Sequence, residues 1–315
     1  TTPVDAREHT DAHGALTAFP RGGKRMRSLL FTPGNAPAML DKALAFRPDA
    51  FVPDLEDSVP DAEKDNARQV TAAYLPKLCG LGIPVIPRVN SLGSGWLEED
   101  LAAVVGPSIY GISIGKIQTV DDIADISAII AGLEREAGLE VGSVRLVPWI
   151  ETALAVVHCY RICLASPRIV AVAFGAEDFT NDMGLERMED DSEVACARSS
   201  VCIAARAAGV DALDTPFFRF KDSCGLEVNV RAARQFGFKG KFAIHPAQIN
   251  TINTLFSPSE AEIEYARQVV AAFEEAERTG RGATSLEGKV VDVPVVKRAQ
   301  SLLALADASS RSRRF

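Results

Sequence analysis

At 315 residues the chain is long enough for one large domain or two average ones, and its 47% of hydrophobic residues can fill a large core. The formal net charge of −8 argues against nucleic acid as a partner, because phosphate binding requires clustered lysine and arginine. No run reaches the roughly 20 apolar residues of a membrane span, and the six cysteines lack Cys-x-x-Cys or zinc spacing, so we predict a cytoplasmic protein without disulfides.

A polar segment opens the chain. His9 and His13 stand four residues apart, as two metal ligands on a helix would, but no third ligand lies nearby in the sequence. The segment has no apolar core and carries several acidic residues, which argues against a targeting peptide. We predict that residues 1–26 form a flexible tail.

Short apolar runs alternate with helical patterns from about residue 28 to residue 256. The runs are rich in β-branched residues, which favours strands, and the segments between them have apolar residues at helical spacing. The predicted strands cover residues 28–32, 50–53, 83–89, 110–114, 144–150, 169–174, 209–213 and 241–244. The predicted helices cover residues 36–46, 61–78, 97–105, 120–137, 153–165, 193–208, 225–236 and 246–256.

About eight strand–helix pairs in this order are typical of a (β/α)8 barrel. We therefore predict an α/β fold with a TIM barrel over residues 27–258. A doubly wound open sheet is the alternative, because periodicity does not reveal whether a sheet closes. Residues 259–315 are predicted as a C-terminal helical extension, with helices at 259–279 and 295–307 around a glycine-rich loop.

Charged residues follow five consecutive predicted strands, the second to the sixth. In a barrel of this kind the chemistry lies at the C-terminal ends of the strands. The residues concerned are Asp54, Glu56, Asp57, Arg88, Lys116, Glu151, Glu177 and Asp178. Any one of them can be a helix cap or a surface ion pair, but charge at five neighbouring strand ends favours an active site.

Glu151 and Asp178 are the natural cation ligands of this set. Magnesium prefers a few carboxylate oxygens and keeps several waters, which leaves room for a chelating substrate. Arg88 and Lys116 have the opposite charge and suit a substrate carboxylate or a developing oxyanion. The pattern predicts a magnesium site for an anionic oxo-acid.

A serine-hydrolase motif also occurs by spacing. Residues 111–115 read GISIG, which matches the G-x-S-x-G nucleophile elbow. Ser113, however, lies inside an apolar run, and the next helix is predicted to begin only near Thr119. We therefore interpret the segment as a barrel strand.

Several motifs together resemble the citrate lyase beta-subunit and malyl-CoA lyase family, part of the HpcH/HpaI aldolase/citrate lyase superfamily of (β/α)8 enzymes. Together the motifs cover nearly all of the chain beyond the first two dozen residues, and their order and spacing make the resemblance specific. The motifs are RSLLFTPG at 27–34, DLEDS at 54–58, RVN at 88–90, IET at 150–152, FGAED at 174–178, IHPAQI at 244–249 and GKVVDVP at 288–294.

The resemblance implies roles for the metal and oxo-acid residues. Glu151 and Asp178 match the family's Mg²⁺ ligands. Arg88 matches the arginine that binds the substrate carbonyl, and Glu56 or Asp57 would orient it.

It also implies contacts to the rest of the substrate. The backbone N–H groups of Gly175 and Ala176 would bind the substrate carboxylate. Asp292 matches an acid–base carboxylate supplied by a neighbouring subunit, which implies a homo-oligomer, often a trimer. The positions that match the acyl-carrier site are Phe31, Thr32, Lys42, His245 and Pro246.

Two positions depart from the family pattern. Many members have arginine where this chain has Ala36, and glutamate where it has Gln118. The implied activity is a Mg²⁺-dependent carbon–carbon lyase acting on a β-hydroxyacyl thioester such as citryl-, malyl- or citramalyl-CoA. The alternatives are a thioester hydrolase or malate-synthase-like enzyme on the same site, or a non-catalytic subunit of a lyase complex. The carrier, coenzyme A or an acyl carrier protein, stays open.

Overall fold

Eight parallel strands close into a barrel in chain order. The computed structural model describes the backbone of residues 24–312 and the side chains up to residue 307. β1 pairs with both β2 and β8, so the predicted TIM barrel is confirmed and the open-sheet alternative is wrong. The strands are β1 Ser28–Pro33, β2 Ala50–Asp54, β3 Arg88–Val89, β4 Gly111–Ile114, β5 Arg145–Ile150, β6 Ala171–Phe174, β7 Asp211–Asp214 and β8 Gly240–Ala243.

Helices surround the barrel and continue beyond it. The barrel helices are α1 Pro37–Ala43, α2 Lys64–Cys79, α3 Leu97–Val104, α4 Val120–Glu136, α5 Ala153–Leu164, α6 Ala176–Met183, α7 Ala195–Ala208, α8 Ser223–Phe236 and α9 Gln248–Leu255. The extension contains α10 Glu260–Arg278, the strands β9 Thr284–Leu286 and β10 Lys289–Val291, and α11 Val293–Ser312.

Two elements were not predicted. The helix α6 lies inside the connection from β6 to α7, where no helix was predicted. The predicted glycine-rich loop is an antiparallel hairpin of β9 and β10. Glu287 and Gly288 both have positive φ, 50° and 76°, as a two-residue hairpin turn requires.

The apolar side chains form two layers around the barrel wall. The interior layer includes Leu29, Val147, Trp149 and Phe242, and a larger layer lies between the strands and the helices. Met26, inside the predicted tail, packs into the interior layer and is 3% exposed. Residues 1–23 of that tail, with His9 and His13, lie outside the described residues.

Ser113 lies in β4 and is fully buried, and its Oγ accepts a hydrogen bond from Trp149 Nε1 at 2.8 Å. Because the hydroxyl is enclosed by the barrel, the nucleophile-elbow reading is excluded. The sulfur pair Cys159 and Cys163 is 4.0 Å apart, well beyond a disulfide bond. None of the described helices is both long and apolar enough to span a membrane.

A buried ion pair joins α4 to the loops before β5 and β6. Glu134 accepts from Arg168 Nη2 at 2.6 Å, from the Val144 N–H at 2.7 Å and from the Gly142 N–H at 2.8 Å. Burial alone would raise the pKa of Glu134, but these hydrogen bonds outweigh it and lower the pKa from 4.5 to about 2.

We expect Glu134→Gln to destabilise the fold by about 3–5 kcal/mol, because it leaves the Arg168 charge buried without a counter-charge. The lowered pKa makes the ionised form stabilising by about 3 kcal/mol above pH 4.5, and this contribution is lost as pH falls toward 2. Urea unfolding between pH 7 and pH 3 measures both effects. The exposed Glu136 on the same helix gives the control, Glu136→Gln, which should unfold like the wild type. Equal stability of the two variants would contradict the prediction.

Candidate active site at the carboxyl end of the barrel

A cavity of about 390 Å³ opens at the C-terminal rim of the barrel. The predicted site residues that line it are Phe31, Asp57, Arg88, Glu151, Gly175, Ala176 and Asp178. Five different strand ends therefore contribute to one cavity, as expected for the rim where barrel enzymes place their chemistry.

Arg88 is fixed mainly by Asp54, a strand-end carboxylate for which no specific role was predicted. Asp54 and Arg88 are paired in register at the ends of β2 and β3. Arg88 Nε and Nη2 donate to the two oxygens of Asp54, each at 2.7 Å. Its Nη1 lies 3.1 Å from Glu56 Oε2 and 3.0 Å from Asp57 Oδ2. The predicted contacts with Glu56 and Asp57 are present, but the two-pronged partner is Asp54.

Lys116 lies next to the same carboxylates. Its Nζ is 3.2 Å from Glu56 Oε1 and 3.9 Å from Asp57 Oδ1. Burial raises the pKa of Glu56 above its usual range, although the charge of Arg88 opposes this. Lys116 has a φ of 59°, an uncommon value for a residue with a side chain, and its N–H donates to Glu151 Oε1. The strained backbone aims an N–H group at the predicted metal ligand.

Glu151 occupies a narrow space between two glycines at the base of the cavity. Its side chain is buried, and a Cβ at Gly175 would lie 2.5 Å from Glu151 Oε2. A Cβ at Gly115 would lie 2.9 Å from Glu151 Oε1. Larger residues at either position would displace the carboxylate, so the two glycines are explained by contact with this side chain.

The acidic side chains of the cavity destabilise one another's charge. Burial, followed by the charges of Asp178 and Glu56, raises the pKa of Glu151 to about 8. Burial and the charge of Asp57 also raise the pKa of Asp178. A divalent cation would relieve this repulsion, so the donor set fits a Mg²⁺ ion held by Glu151 and Asp178.

A cation held by Glu151 and Asp178 would have few protein ligands. Among residues 24–312, no group of three or more histidine, cysteine, aspartate or glutamate side chains is arranged to hold a metal ion. Two carboxylates leave coordination positions for water and substrate, which is the usual arrangement for Mg²⁺.

The two amides predicted to bind a substrate carboxylate already have partners. The Gly175 N–H donates to the Ile150 carbonyl at 3.2 Å, as part of the barrel ladder. The Ala176 N–H donates to Thr215 Oγ1 at 3.3 Å. A substrate can take the Ala176 N–H when the Thr215 side chain rotates away from it. The Gly175 N–H is held by a backbone carbonyl and cannot be released in this way.

Of the five residues matched to the acyl-carrier site, one is among those that line the cavity. Phe31 lines the cavity, and Thr32 beside it is buried. Lys42 is exposed on α1. His245 is exposed and stacks on Phe220, with ring centroids 5.0 Å apart, and Pro246 follows it.

Asp292 is not among the residues that line the cavity of its own chain. It precedes α11, and its Oδ1 accepts from the Val295 N–H at 3.2 Å. The helix-cap role that the sequence permits is therefore present. Val290 and Val293 on either side are 68% and 47% exposed.

Sequence reasoning missed several residues of the cavity. Trp149, Thr215 and Phe218 line it, from β5 and the segment after β7. Asp54 was predicted at the rim but not as the partner of Arg88, although it is the first carboxylate after the apolar run of β2, in register with Arg88 in the next strand. The aromatic residues had no usable signal, because an apolar side chain at a strand end looks like core.

The fold and the rim residues define a (β/α)8-barrel protein in which carboxylates and a fixed arginine line one cavity. The chain belongs to the HpcH/HpaI aldolase/citrate lyase family, whose model matches residues 27–246. It is 38% identical to the citrate lyase subunit beta of Leuconostoc mesenteroides subsp. cremoris, over 90% of this chain and 94% of that protein.

A second relative has a different stated activity. The (3S)-malyl-CoA thioesterase of Cereibacter sphaeroides strain ATCC 17025 is 34% identical, over 90% of this chain and 95% of that protein. Among solved structures, the CitE protein of Mycobacterium tuberculosis in complex with magnesium, acetoacetate and coenzyme A superposes with a TM-score of 0.75 at 28% identity, covering 91% of this chain and 99% of that one.

Proposed function

We propose that this protein is a Mg²⁺-dependent carbon–carbon lyase that acts on a β-hydroxyacyl thioester of the citryl, malyl or citramalyl type. The observation that carries the proposal is the convergence of Glu151, Asp178 and Arg88 on one cavity of about 390 Å³. The complex of the M. tuberculosis relative with magnesium, acetoacetate and coenzyme A supports the choice of metal and substrate class.

Glu151 and Asp178 would hold the cation, which when bound polarises the carbonyl of the oxo-acid. Arg88 stabilises the negative charge that develops on that oxygen during bond cleavage or formation. Removing one such preorganised donor typically costs about 3–4 kcal/mol of transition-state stabilisation. Glu56 and Lys116 lie where a substrate carboxylate can exchange with an internal ion pair.

Proton transfer needs a further group. In the cleavage direction the β-hydroxyl loses its proton, the carbon–carbon bond breaks, and the thioester enolate takes up a proton at its α-carbon. We assign the proton transfer to the α-carbon to Asp292 of a neighbouring subunit, because its own chain leaves it outside the cavity. This assignment requires a homo-oligomer, and the family resemblance favours a trimer.

A thioester hydrolase on the same site is the second candidate. It is favoured by the malyl-CoA thioesterase relatives at 34% identity. The same cation and arginine can stabilise the oxyanion formed when water attacks a thioester carbonyl. At the start of α1 this chain has Ala36 where many family members have an arginine that contacts coenzyme A. Thioesters of both coenzyme A and an acyl carrier protein are therefore tested.

One assay separates the two candidates. Citryl-, malyl- and citramalyl-thioesters are each incubated with Mg²⁺ or with a chelator, and both free thiol and oxo-acid are measured. A lyase releases oxo-acid without free thiol, whereas a hydrolase releases free thiol without oxo-acid. Turnover that is equal with Mg²⁺ and with chelator would refute the metal role in either case.

We expect Gly175→Ala to weaken Mg²⁺ binding and lower kcat/KM by about 10²-fold, because the new methyl group would displace the Glu151 carboxylate. Mg²⁺ titration and steady-state kinetics measure the two effects. Gly106→Ala is the matched control, since a Cβ there meets nothing within 4 Å. Wild-type Mg²⁺ affinity in Gly175→Ala would show that the carboxylate position does not matter.

A further inference from the structure

We propose that Asp54 is the positioning residue for Arg88, fixing the guanidinium so that its Nη1 end faces the substrate. This inference rests on the proposed function of the cavity. It concerns a nearly fully buried carboxylate at the cavity wall that acts through the arginine rather than on the substrate.

Asp54 is itself held rigidly. It is the last residue of β2 and is 2% exposed. Besides Arg88, its carboxylate accepts from the backbone N–H of Glu56 at 3.0 Å and of Ser58 at 3.2 Å. One carboxylate therefore fixes both the arginine and the loop that carries the other acidic residues of the rim.

The donors of Arg88 divide into a fixed side and an exchangeable side. A guanidinium has five N–H donors in one plane. Nε and Nη2 each use one on the buried Asp54. Nη1 lies 3.1 Å from the buried Glu56 and 3.0 Å from Asp57, and it is Asp57 whose side chain is 55% exposed and lines the cavity. An exposed ion pair contributes little, so an incoming substrate oxygen can replace Asp57 at Nη1 while Asp54 keeps its contacts.

Aromatic rings limit the remaining freedom of Arg88. The guanidinium carbon lies 4.7 Å from the centroid of Phe31 and 5.9 Å from that of Trp149. Rotation about the long side chain is thus restricted by ring contact, and rotation within the guanidinium plane is restricted by the two bonds to Asp54. Both restrictions are needed to aim Nη1.

The test compares two carboxylates at opposite ends of β2. Asp54→Asn keeps the size and one acceptor oxygen but loses the charged two-pronged contact. Asp49→Asn is the matched control, because Asp49 holds Arg27 through the same geometry, with bonds of 2.7 and 2.8 Å, just before β2 begins. We expect Asp54→Asn to lower kcat and kcat/KM together by about 10²-fold, while Asp49→Asn keeps the wild-type values.

The double variant distinguishes positioning from a structural role. If Asp54 acts through Arg88, Asp54→Asn combined with Arg88→Met should be no slower than Arg88→Met alone. Multiplied losses in the double variant, or unchanged kcat in Asp54→Asn, would overturn the proposal.

A crystal structure of Asp54→Asn separates failure of this inference from failure of the proposed function. Displacement of the guanidinium by about 1 Å or more is expected, whether or not the wild type cleaves any thioester. An unmoved Arg88 overturns the positioning role. Absence of wild-type turnover would refute the proposed function alone.

Discussion

Replacing Glu151 with glutamine should abolish the Mg²⁺-dependent activity, with a fall in kcat/KM on the order of 10³-fold or more. A metal acting as Lewis acid supplies several kcal/mol, and each 1.36 kcal/mol corresponds to a factor of ten. Glutamine keeps the shape of the side chain and can still accept the Lys116 N–H bond, but it removes the charge that would hold the cation. Asp178→Asn should have a similar effect.

Thermal unfolding gives a readout of the same change without substrate. A ligand that binds only the folded state stabilises it by mass action, so Mg²⁺ should raise the Tm of the wild type and leave that of Glu151→Gln unchanged. Glu177→Gln is the matched control, because Glu177 also lines the cavity but is bound to Arg187. Its Tm should rise with Mg²⁺ as in the wild type. A normal Mg²⁺ response in Glu151→Gln would place the cation elsewhere.

The barrel was predictable from sequence because its wall repeats one signal eight times. Each strand has apolar side chains on both faces, toward the interior and toward the helices, and so reads as a continuous apolar run. The length of β3 was the exception. Residues 83–89 were predicted as one strand, yet only Arg88–Val89 forms a ladder strand, with a single bridge from Val85 to Phe51. Pro84 and Pro87 lack the N–H groups that a longer ladder would need.

The charged residues of the site were predictable for a related reason. Parallel strands in a barrel end at one rim, so charge after successive strands must converge. The sequence could not rank the carboxylates within DLED, because their side-chain directions depend on the turn after β2. The family resemblance implied Glu56 or Asp57 as the residue that orients Arg88; both lie next to its Nη1, and the strand register adds Asp54 as a further partner.

The convergence of the strand ends at one rim does not position residues outside the barrel. Asp292 follows the hairpin of β9 and β10, and no barrel strand directs it to the rim. The extension packs on its own small core, in which Val269, Phe273 and Val291 are buried. A contact between this core and a second subunit is a property of the assembled protein. The role of Asp292 is therefore tested on the oligomer.

We expect Asp292→Asn to lower kcat by about 10²–10⁴-fold, the usual loss when an acid–base group is removed. Asparagine caps helices about as well as aspartate, so the bond to the Val295 N–H and the Tm should be retained. A loss of activity at unchanged stability would separate catalysis from capping. A fall in Tm that accounts for the lost activity would favour the cap alone.

Mixed oligomers decide which subunit uses Asp292. Asp292→Asn and Glu151→Gln, each inactive alone, should recover up to about a quarter of the wild-type activity when co-assembled, because a site regains both residues only where an intact barrel meets an intact neighbouring extension. Glu151→Gln mixed with Arg88→Met is the matched control: both residues lie on the same barrel, so no site can recover. The exposed Val290 and Val293 beside Asp292 supply the apolar surface that such a contact between subunits would bury. Mixed oligomers of the first pair that stay as inactive as those of the second would return Asp292 to its own subunit, as a helix cap without a part in the chemistry.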